Sequence, residues 1–276
     1  MFILYNGALL KEKELKLPLT NRAFQYNDGF FETMIVQQGR ILFWQDHLTR
    51  ITEAAAALGI HLHQNRNPDK FLEQLLHLSE QNNASNYGRV KVKVWRDGAG
   101  LYTPQTNAAA WMATAQPAEA SQNLPLKVGI CRTVTTLPSP FSIFKGPNAL
   151  VYVVAGNEKA QTLYDDMLLL SPDGAVAEMI SSNIFWFREG TLFTPALETG
   201  CINGILRRNL LRWAKAQAVP VVECLLAPAM LQDASVIFSA NVTGIKSISM
   251  LASQQLPDTH PQLDRLRQEL FGGMQV

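Results

Sequence analysis

Residues 32–59 read ETMIVQQGRILFWQDHLTRITEAAAALG. The first part is strand-like, because Glu32–Gln37 and Arg40–Phe43 are rich in β-branched and aromatic residues. From Asp46 the period changes. Leu48, Ile51, Ala55 and Leu58 fall on one helical face, and Gly59 supplies the stop. A strand signal that gives way to a helix signal marks a mixed α/β chain. The pattern continues on both sides. Phe2–Tyr5 reads as a strand, and 68–81 as a helix with Phe71, Leu75 and Leu78 on its inner side. Arg89–Trp95 alternates valine with lysine, as a half-buried strand does. Further on, Leu126–Cys131, Asp166–Leu170, Asn183–Phe187, Val219–Cys224 and Ser235–Ser239 read as strands. Ser171-Pro-Asp-Gly174 is read as a turn between the second and third of these, and Glu189-Gly190 as a hairpin turn. Helices are expected over 148–163, 205–217 and 261–271. Residues 113–125 lose apolar periodicity and carry Pro117 and Pro125. The expected organisation is a smaller domain over 1–115, a linker over 116–125 and a larger domain over 126–276, each α/β or α+β.

Composition narrows the function classes. Of 276 residues, 47% are hydrophobic and 17% charged, enough apolar material for a sizeable core. Twenty-four basic against 23 acidic residues give +1, so nothing favours nucleic acid as a partner. No apolar stretch is long enough to span a bilayer. Met1-Phe-Ile-Leu-Tyr5 lacks a basic leader and runs into Lys11-Glu-Lys-Glu14. Cys131, Cys201 and Cys224 form no Cys-x-x-Cys pair, which fits a reducing compartment. The expectation is a cytoplasmic protein with a small-molecule substrate, no nucleic acid and no membrane.

Four features can carry chemistry. Lys145 follows Pro140-Phe-Ser-Ile-Phe144 and precedes Gly146-Pro-Asn148. Buried there, a lysine loses proton affinity and suits Schiff-base formation or proton transfer; exposed, its stem only covers apolar neighbours. Glu178 is the one charged residue of Gly174-Ala-Val-Ala-Glu-Met-Ile180. Inside a strand it needs a cation or a strong donor, such as a protonated pyridine nitrogen; at a strand end it faces water. Gly200-Cys-Ile-Asn-Gly204 leads into Ile205-Leu-Arg-Arg208, which is either an anion cup of free N–H groups or an ordinary helix start capped by Asn203. His47 and Arg50 lie three apart on one helix face, where Arg50 grips a phosphate or merely meets solvent. His61-Leu-His63 has no third ligand at metal spacing, so no metal is expected. A lysine for a carbonyl carbon, an acid for a ring nitrogen and a cup for a phosphate together meet the needs of pyridoxal 5′-phosphate (PLP).

These residues stand in runs that resemble the fold-type IV PLP enzymes, the class IV aminotransferases. The runs are Asn21-Arg-Ala-Phe-Gln-Tyr-Asn-Asp-Gly-Phe-Phe-Glu32, His47-Leu-Thr-Arg50, Lys145-Gly-Pro-Asn148, Glu178-Met-Ile-Ser-Ser-Asn-Ile-Phe185 and Asn203-Gly-Ile-Leu-Arg207. The resemblance implies the two-lobed D-amino acid aminotransferase-like fold, with its site between the lobes and a homodimeric assembly. It implies Lys145 as the Schiff-base lysine and proton shuttle, and Glu178 as the pyridinium partner. Arg50, the N–H groups of Ile205 and Leu206, and Asn241 become the phosphate cup, with Asn148 also at the cofactor. Thr33 is a hydroxyl donor near the reacting face; Arg96 and Phe31 are placed at the substrate, Arg96 for a carboxylate. Within the family, Leu206 stands where branched-chain and D-amino acid aminotransferases usually carry threonine. That turn, and Trp95-Arg-Asp-Gly-Ala-Gly-Leu-Tyr102, look more like the 4-amino-4-deoxychorismate lyase branch. Asn27, Met179-Ile180 and Ala149 depart from the usual pattern. The leading expectation is the lyase; the alternatives are a branched-chain or D-amino acid aminotransferase and a degenerate PLP-binding member.

Overall fold

The strand-to-helix order read at residues 32–59 is present in the computed structural model, which describes residues 1–62 and 67–272. His63 lies outside the described residues. The chain forms two compact units, Met1–Ala120 with Phe144–Pro147, and Ser121–Ile143 with Asn148–Val276.

The first unit runs β1 (Phe2–Tyr5), β2 (Ala8–Lys11), α1 (Arg22–Tyr26), β3 (Gly29–Gln37), β4 (Arg40–Ile41), α2 (Trp44–Ala57), α3 (Pro68–Gln81), β5 (Tyr87–Arg96) and β6 (Ala109–Pro117). Its sheet has the order β2-β1-β6-β5-β3-β4, antiparallel throughout. Val90, Val92 and Val94 are buried, as the alternation predicts. The helix α3 has the expected bounds, because Asn67 caps the N–H groups of Asp69 and Lys70 and Pro68 opens the first turn. Two readings change. The helix α2 starts at Trp44 rather than Asp46, after Phe43 in a left-handed conformation that also ends β4 early. Residues 113–117, read as loop and linker, belong to β6 and lie between β1 and β5. Ala113 and Ala115 are buried there, but alanine gives little apolar signal, so the strand is silent in a hydrophobicity reading.

The second unit contains β7 (Leu126–Ile130), α4 (Ala149–Lys159), β8 (Asp166–Leu170), β9 (Val176–Met179), β10 (Asn183–Arg188), β11 (Thr191–Pro195), α5 (Ile205–Ala216), β12 (Val221–Cys224), β13 (Val236–Asn241), β14 (Gly244–Leu251), β15 (Gln254–Gln255) and α6 (Pro261–Phe271). The sheet order is β12-β11-β10-β13-β14-β7-β8-β9, with β15 on β14. The pairs β11–β12, β14–β7 and β7–β8 are parallel. The helix α4 ends four residues before the expected Leu163, where Gln161 and Thr162 turn back onto the carbonyls of Glu158 and Lys159. The 171–174 turn joins β8 to β9, a strand the sequence reading did not set apart.

The β8–β9 pair decides where Glu178 points. Leu168 faces Met179 and Leu169 faces Glu178, but Leu170 faces Val176, so Ala177 is an extra residue in β9. Val176 and Met179 join one apolar cluster with Leu168, Trp186 and Ile248. Leu169 belongs to another, with Val151, Ala155 and Tyr152. Without the bulge, Glu178 would share a side with Val176. With it, Glu178 turns to the side of Leu169 and Tyr152.

Candidate active site

Lys145 is held by its backbone. The N–H of Phe31 donates to the Lys145 carbonyl at 2.9 Å, and the Asn27 side-chain amide donates to the Gly146 carbonyl at 2.8 Å. This strap explains why Phe144–Pro147 packs with the first unit, although the sequence reading gave Lys145 to the second domain. Asn27 sits at φ +51°, a conformation that asparagine tolerates, so it can replace the glycine usual in the family it resembles and add a side-chain bond. Gly146 has φ +132°, and a Cβ there would lie 2.7 Å from the Phe30 Cα. Gly146→Ala is therefore expected to cost about 2 kcal/mol and to loosen cofactor retention. Urea unfolding and the PLP stoichiometry of the purified variant check both.

Around Lys145 the first unit presents cations. The Lys145 Nζ lies 6.0 Å from the Phe31 ring centroid and the Lys91 Nζ lies 4.4 Å from the same ring. Thr33 is half-buried on β3 and pairs across the strands with Lys91. Burial, then the Lys91 charge, push the Lys93 ammonium below its usual value. The two β5 lysines make this face receptive to an anion, a role that the sequence reading did not assign to them.

Arg50 and His47 are buried on the inner face of α2, not solvated. The Arg50 guanidinium grips Glu32 at two points, 2.6 and 2.7 Å, and the His47 Nδ1 lies 2.6 Å from the same carboxylate. Burial alone would raise the Glu32 pKa, but the Arg50 charge and the bonds from His47 and Arg50 outweigh it and bring it down to about 2. Glu32 is thus the counter-ion that orients Arg50.

Arg96 requires a correction. Its Nε donates to Asp28 at 3.1 Å, one terminal nitrogen to the Gly59 carbonyl at 2.9 Å and to Asn107, and the other to the Leu58 carbonyl at 2.6 Å. Every nitrogen of the fork serves the fold, so Arg96 ties the end of β5 to the end of α2 and has no fork left for a substrate carboxylate.

In the second unit, Glu178 is 3% exposed. It accepts from the Tyr152 hydroxyl at 2.7 Å and from the Ile202 N–H at 3.1 and 3.2 Å. Burial, then the Glu178 charge, push the Cys201 thiol up to about 12, so this cysteine stays neutral. The same two causes push the Tyr152 phenol above its usual value. The turn beyond Ile202 is fixed by Asn183, whose amide donates to the Ile202 carbonyl at 2.7 Å. A Cβ on Gly204 would meet the Asn183 Oδ1 at 2.2 Å, so this cradle requires glycine. The helix α5 then begins with no side-chain cap, leaving its first N–H groups, those of Ile205 and Leu206, to serve an anion. Asn241 closes the β13–β14 turn, accepting from Thr243 and donating to the Ser181 carbonyl at 3.1 Å. Asn148 precedes α4 and donates to the Leu137 carbonyl at 3.0 Å. Met179 is buried in the core, so this departure from the family pattern fills apolar space.

A buried carboxylate with fixed donors and an uncapped helix start fit a pyridinium nitrogen and a phosphate. In the second unit, Tyr152 and Asn183 are residues around Glu178 and the α5 turn to which the sequence reading gave no role. A lone phenol inside the apolar run Ala149-Leu-Val-Tyr-Val-Val-Ala155 was the available signal, since a buried tyrosine needs a partner for its hydroxyl.

Comparison with known proteins bears on this arrangement. The family described as amino-transferase class IV matches residues 29–249. The chain is 27% identical to a D-alanine aminotransferase of Bacillus licheniformis, over 88% of this chain and 85% of that protein. It is 24% identical to an aminodeoxychorismate lyase of Vibrio harveyi, over 94% and 95%. Its fold matches the crystal structure of 4-amino-4-deoxychorismate lyase from Pseudomonas aeruginosa. There the TM-score is 0.84 at 24% identity, covering 98% of this chain and 98% of that one.

Proposed function

Since this chain belongs to the class IV amino-transferase family, whose members are PLP-dependent enzymes, we propose that it is a 4-amino-4-deoxychorismate lyase releasing 4-aminobenzoate, a folate precursor, and pyruvate. The observation that carries the lyase reading is the turn into α5. Leu206 is buried at 1% exposure where the aminotransferases it resembles usually carry threonine, so at this position only backbone N–H serves a phosphate. Likeness to the Vibrio harveyi lyase over nearly the whole of both chains supports it.

PLP supplies the electron sink for the pair released when the substrate carbon beside nitrogen loses its proton. Lys145 would hold the cofactor covalently and would take up that proton at its Nζ. Glu178, which accepts from Tyr152 and from the Ile202 N–H, would hold the proton of the ring nitrogen. The N–H groups of Ile205 and Leu206 are assigned the phosphate, with Arg50 and Asn241, and Asn148 is assigned to the cofactor. Thr33 and Phe31 are assigned to the substrate face, and Lys91 and Lys93 replace Arg96 as the cations there. Loss of the enolpyruvyl group makes the ring aromatic, which supplies much of the driving force. The proposed assembly is a cytoplasmic homodimer, and α4 leaves Leu150 and Val153 exposed at 73% and 57%, as an interface would require.

Transamination is the second reading, favoured by the higher identity to the D-alanine enzyme. Both are tested by titrating the PLP-loaded protein, without oxygen or keto acid, with L- and D-amino acids. The lyase predicts a visible band that no donor bleaches, together with 4-aminobenzoate release from aminodeoxychorismate. Bleaching by a donor, without 4-aminobenzoate release, reverses the assignment.

A further inference from the structure

We propose that Tyr152 is a positioning residue for Glu178: its hydroxyl fixes one carboxylate oxygen, holds the acid in its ionised form and so keeps the shared proton on the cofactor's ring nitrogen. The proposal rests on the family-level PLP reading and is independent of the choice between lyase and transaminase.

The geometry is specific. Tyr152 comes from the second turn of α4 and its hydroxyl reaches the Glu178 Oε1 at 2.7 Å. Its ring packs with Cys131, Val151, Ala155, Met167 and Leu169, so the phenol has little room to turn away. The Ala177 bulge in β9 puts Glu178 on this same side. With the Ile202 N–H, two donors converge on the acid. Hydrogen bonds to a carboxylate favour its charged form. The phenol stays a donor over the working pH range, because burial and the Glu178 charge both oppose its ionisation.

Other polar groups on neighbouring elements have partners of their own. Cys201 is a neutral thiol pointing its Sγ at the Ala196 carbonyl at 3.7 Å. Asp166, at the start of β8, accepts from the N–H groups of Met167 and Ile180. Arg207 is paired with Glu223 and with the Pro195 carbonyl.

The consequence is a measurable coupling. A ring nitrogen that keeps its proton carries positive charge, and that charge lowers the proton affinity of the nitrogen linking lysine to cofactor. Tyr152→Phe removes the donor and leaves the ring in place. Glu178 then takes a larger share of the proton, and the visible band of the lysine-bound cofactor should persist to higher pH. One hydrogen bond to a charged group corresponds to a shift of about one pH unit. Replacing Tyr152 by 3-fluorotyrosine, a stronger donor, should move the midpoint the other way.

The experiment is a spectrophotometric pH titration of the PLP-loaded wild type, Tyr152→Phe, the 152-fluorotyrosine protein and Tyr164→Phe. Tyr164 bonds the Ala252 carbonyl at 3.2 Å and packs in the same cluster, so it controls for a lost buried hydroxyl. Melting of the cofactor-free proteins reports folding, and the fluorotyrosine protein carries the test if Tyr152→Phe does not fold. Opposite shifts for the two Tyr152 proteins and none for Tyr164→Phe are expected. Unmoved midpoints at 152, or an equal shift for Tyr164→Phe, overturn the role of Tyr152. A wild type that takes up no PLP overturns the family-level reading beneath it, and is seen before any variant is compared.

Discussion

Lys145→Ala is expected to abolish turnover, by at least about 10³-fold, and to leave no cofactor attached after borohydride reduction. The variant should nevertheless stay folded. Two bonds that hold this segment are those of the Lys145 carbonyl, from the Phe31 N–H, and of the Gly146 carbonyl, from Asn27. Neither bond uses the lysine side chain. Loss of chemistry with an unchanged melting temperature therefore separates a catalytic lysine from a structural one. Mass spectrometry of the reduced protein reads the attachment directly. A wild-type adduct on any other lysine, or an adduct that survives in Lys145→Ala, rules out the assignment.

The largest effect on stability is expected for Glu32→Gln. The substitution leaves the Arg50 guanidinium buried at 3% exposure with its carboxylate partner gone. Breaking a buried pair from one side costs on the order of 3–5 kcal/mol. The pH dependence follows from the same group. The Glu32 pKa falls from its ordinary 4.5 to about 2 in the folded chain. Its contribution is present in full above about pH 4.5 and is lost as the pH falls toward 2. The depression corresponds to roughly 3 kcal/mol. Urea unfolding of wild type from pH 6 downward should show that loss, and Glu32→Gln should show a flatter profile. Equal slopes for the two proteins would mean that another carboxylate dominates acid unfolding. Because Glu32 orients Arg50, for which a phosphate role is proposed, that role predicts that the variant also loses affinity for PLP, which separates it from a purely structural lesion.

Much of this architecture can be read from the chain before any coordinates. The α3 and α6 helices are found at their true bounds because periodicity, caps and prolines agree there. The β6 strand is not, because its buried positions are alanines and its end carries Pro117. Lys145 and Glu178 stand out as lone charges in apolar runs, but only the resemblance of the surrounding runs assigns them a site role. Arg96 is misjudged for a different reason. Its type suits a carboxylate, but only the folded chain brings Asp28, Asn107 and two carbonyls to its fork. Tyr152 is passed over because its partner is 26 residues away, on a strand whose facing depends on one inserted residue.

That inserted residue reaches beyond the site. A regular β8–β9 pairing is the register that the kink at Ala177 replaces. In the regular one, without the kink at Ala177, Glu178 would enter the apolar cluster of Val128, Leu168, Trp186 and Ile248. An ionised acid stranded there costs several kcal/mol, so the misaligned hairpin would open again before neighbouring strands lock it. A buried acid at 178 would thus also disfavour the wrong register. A variant with a neutral apolar residue at 178 should lose that error check, and its refolding should slow or branch even though its finished fold has less buried charge to carry.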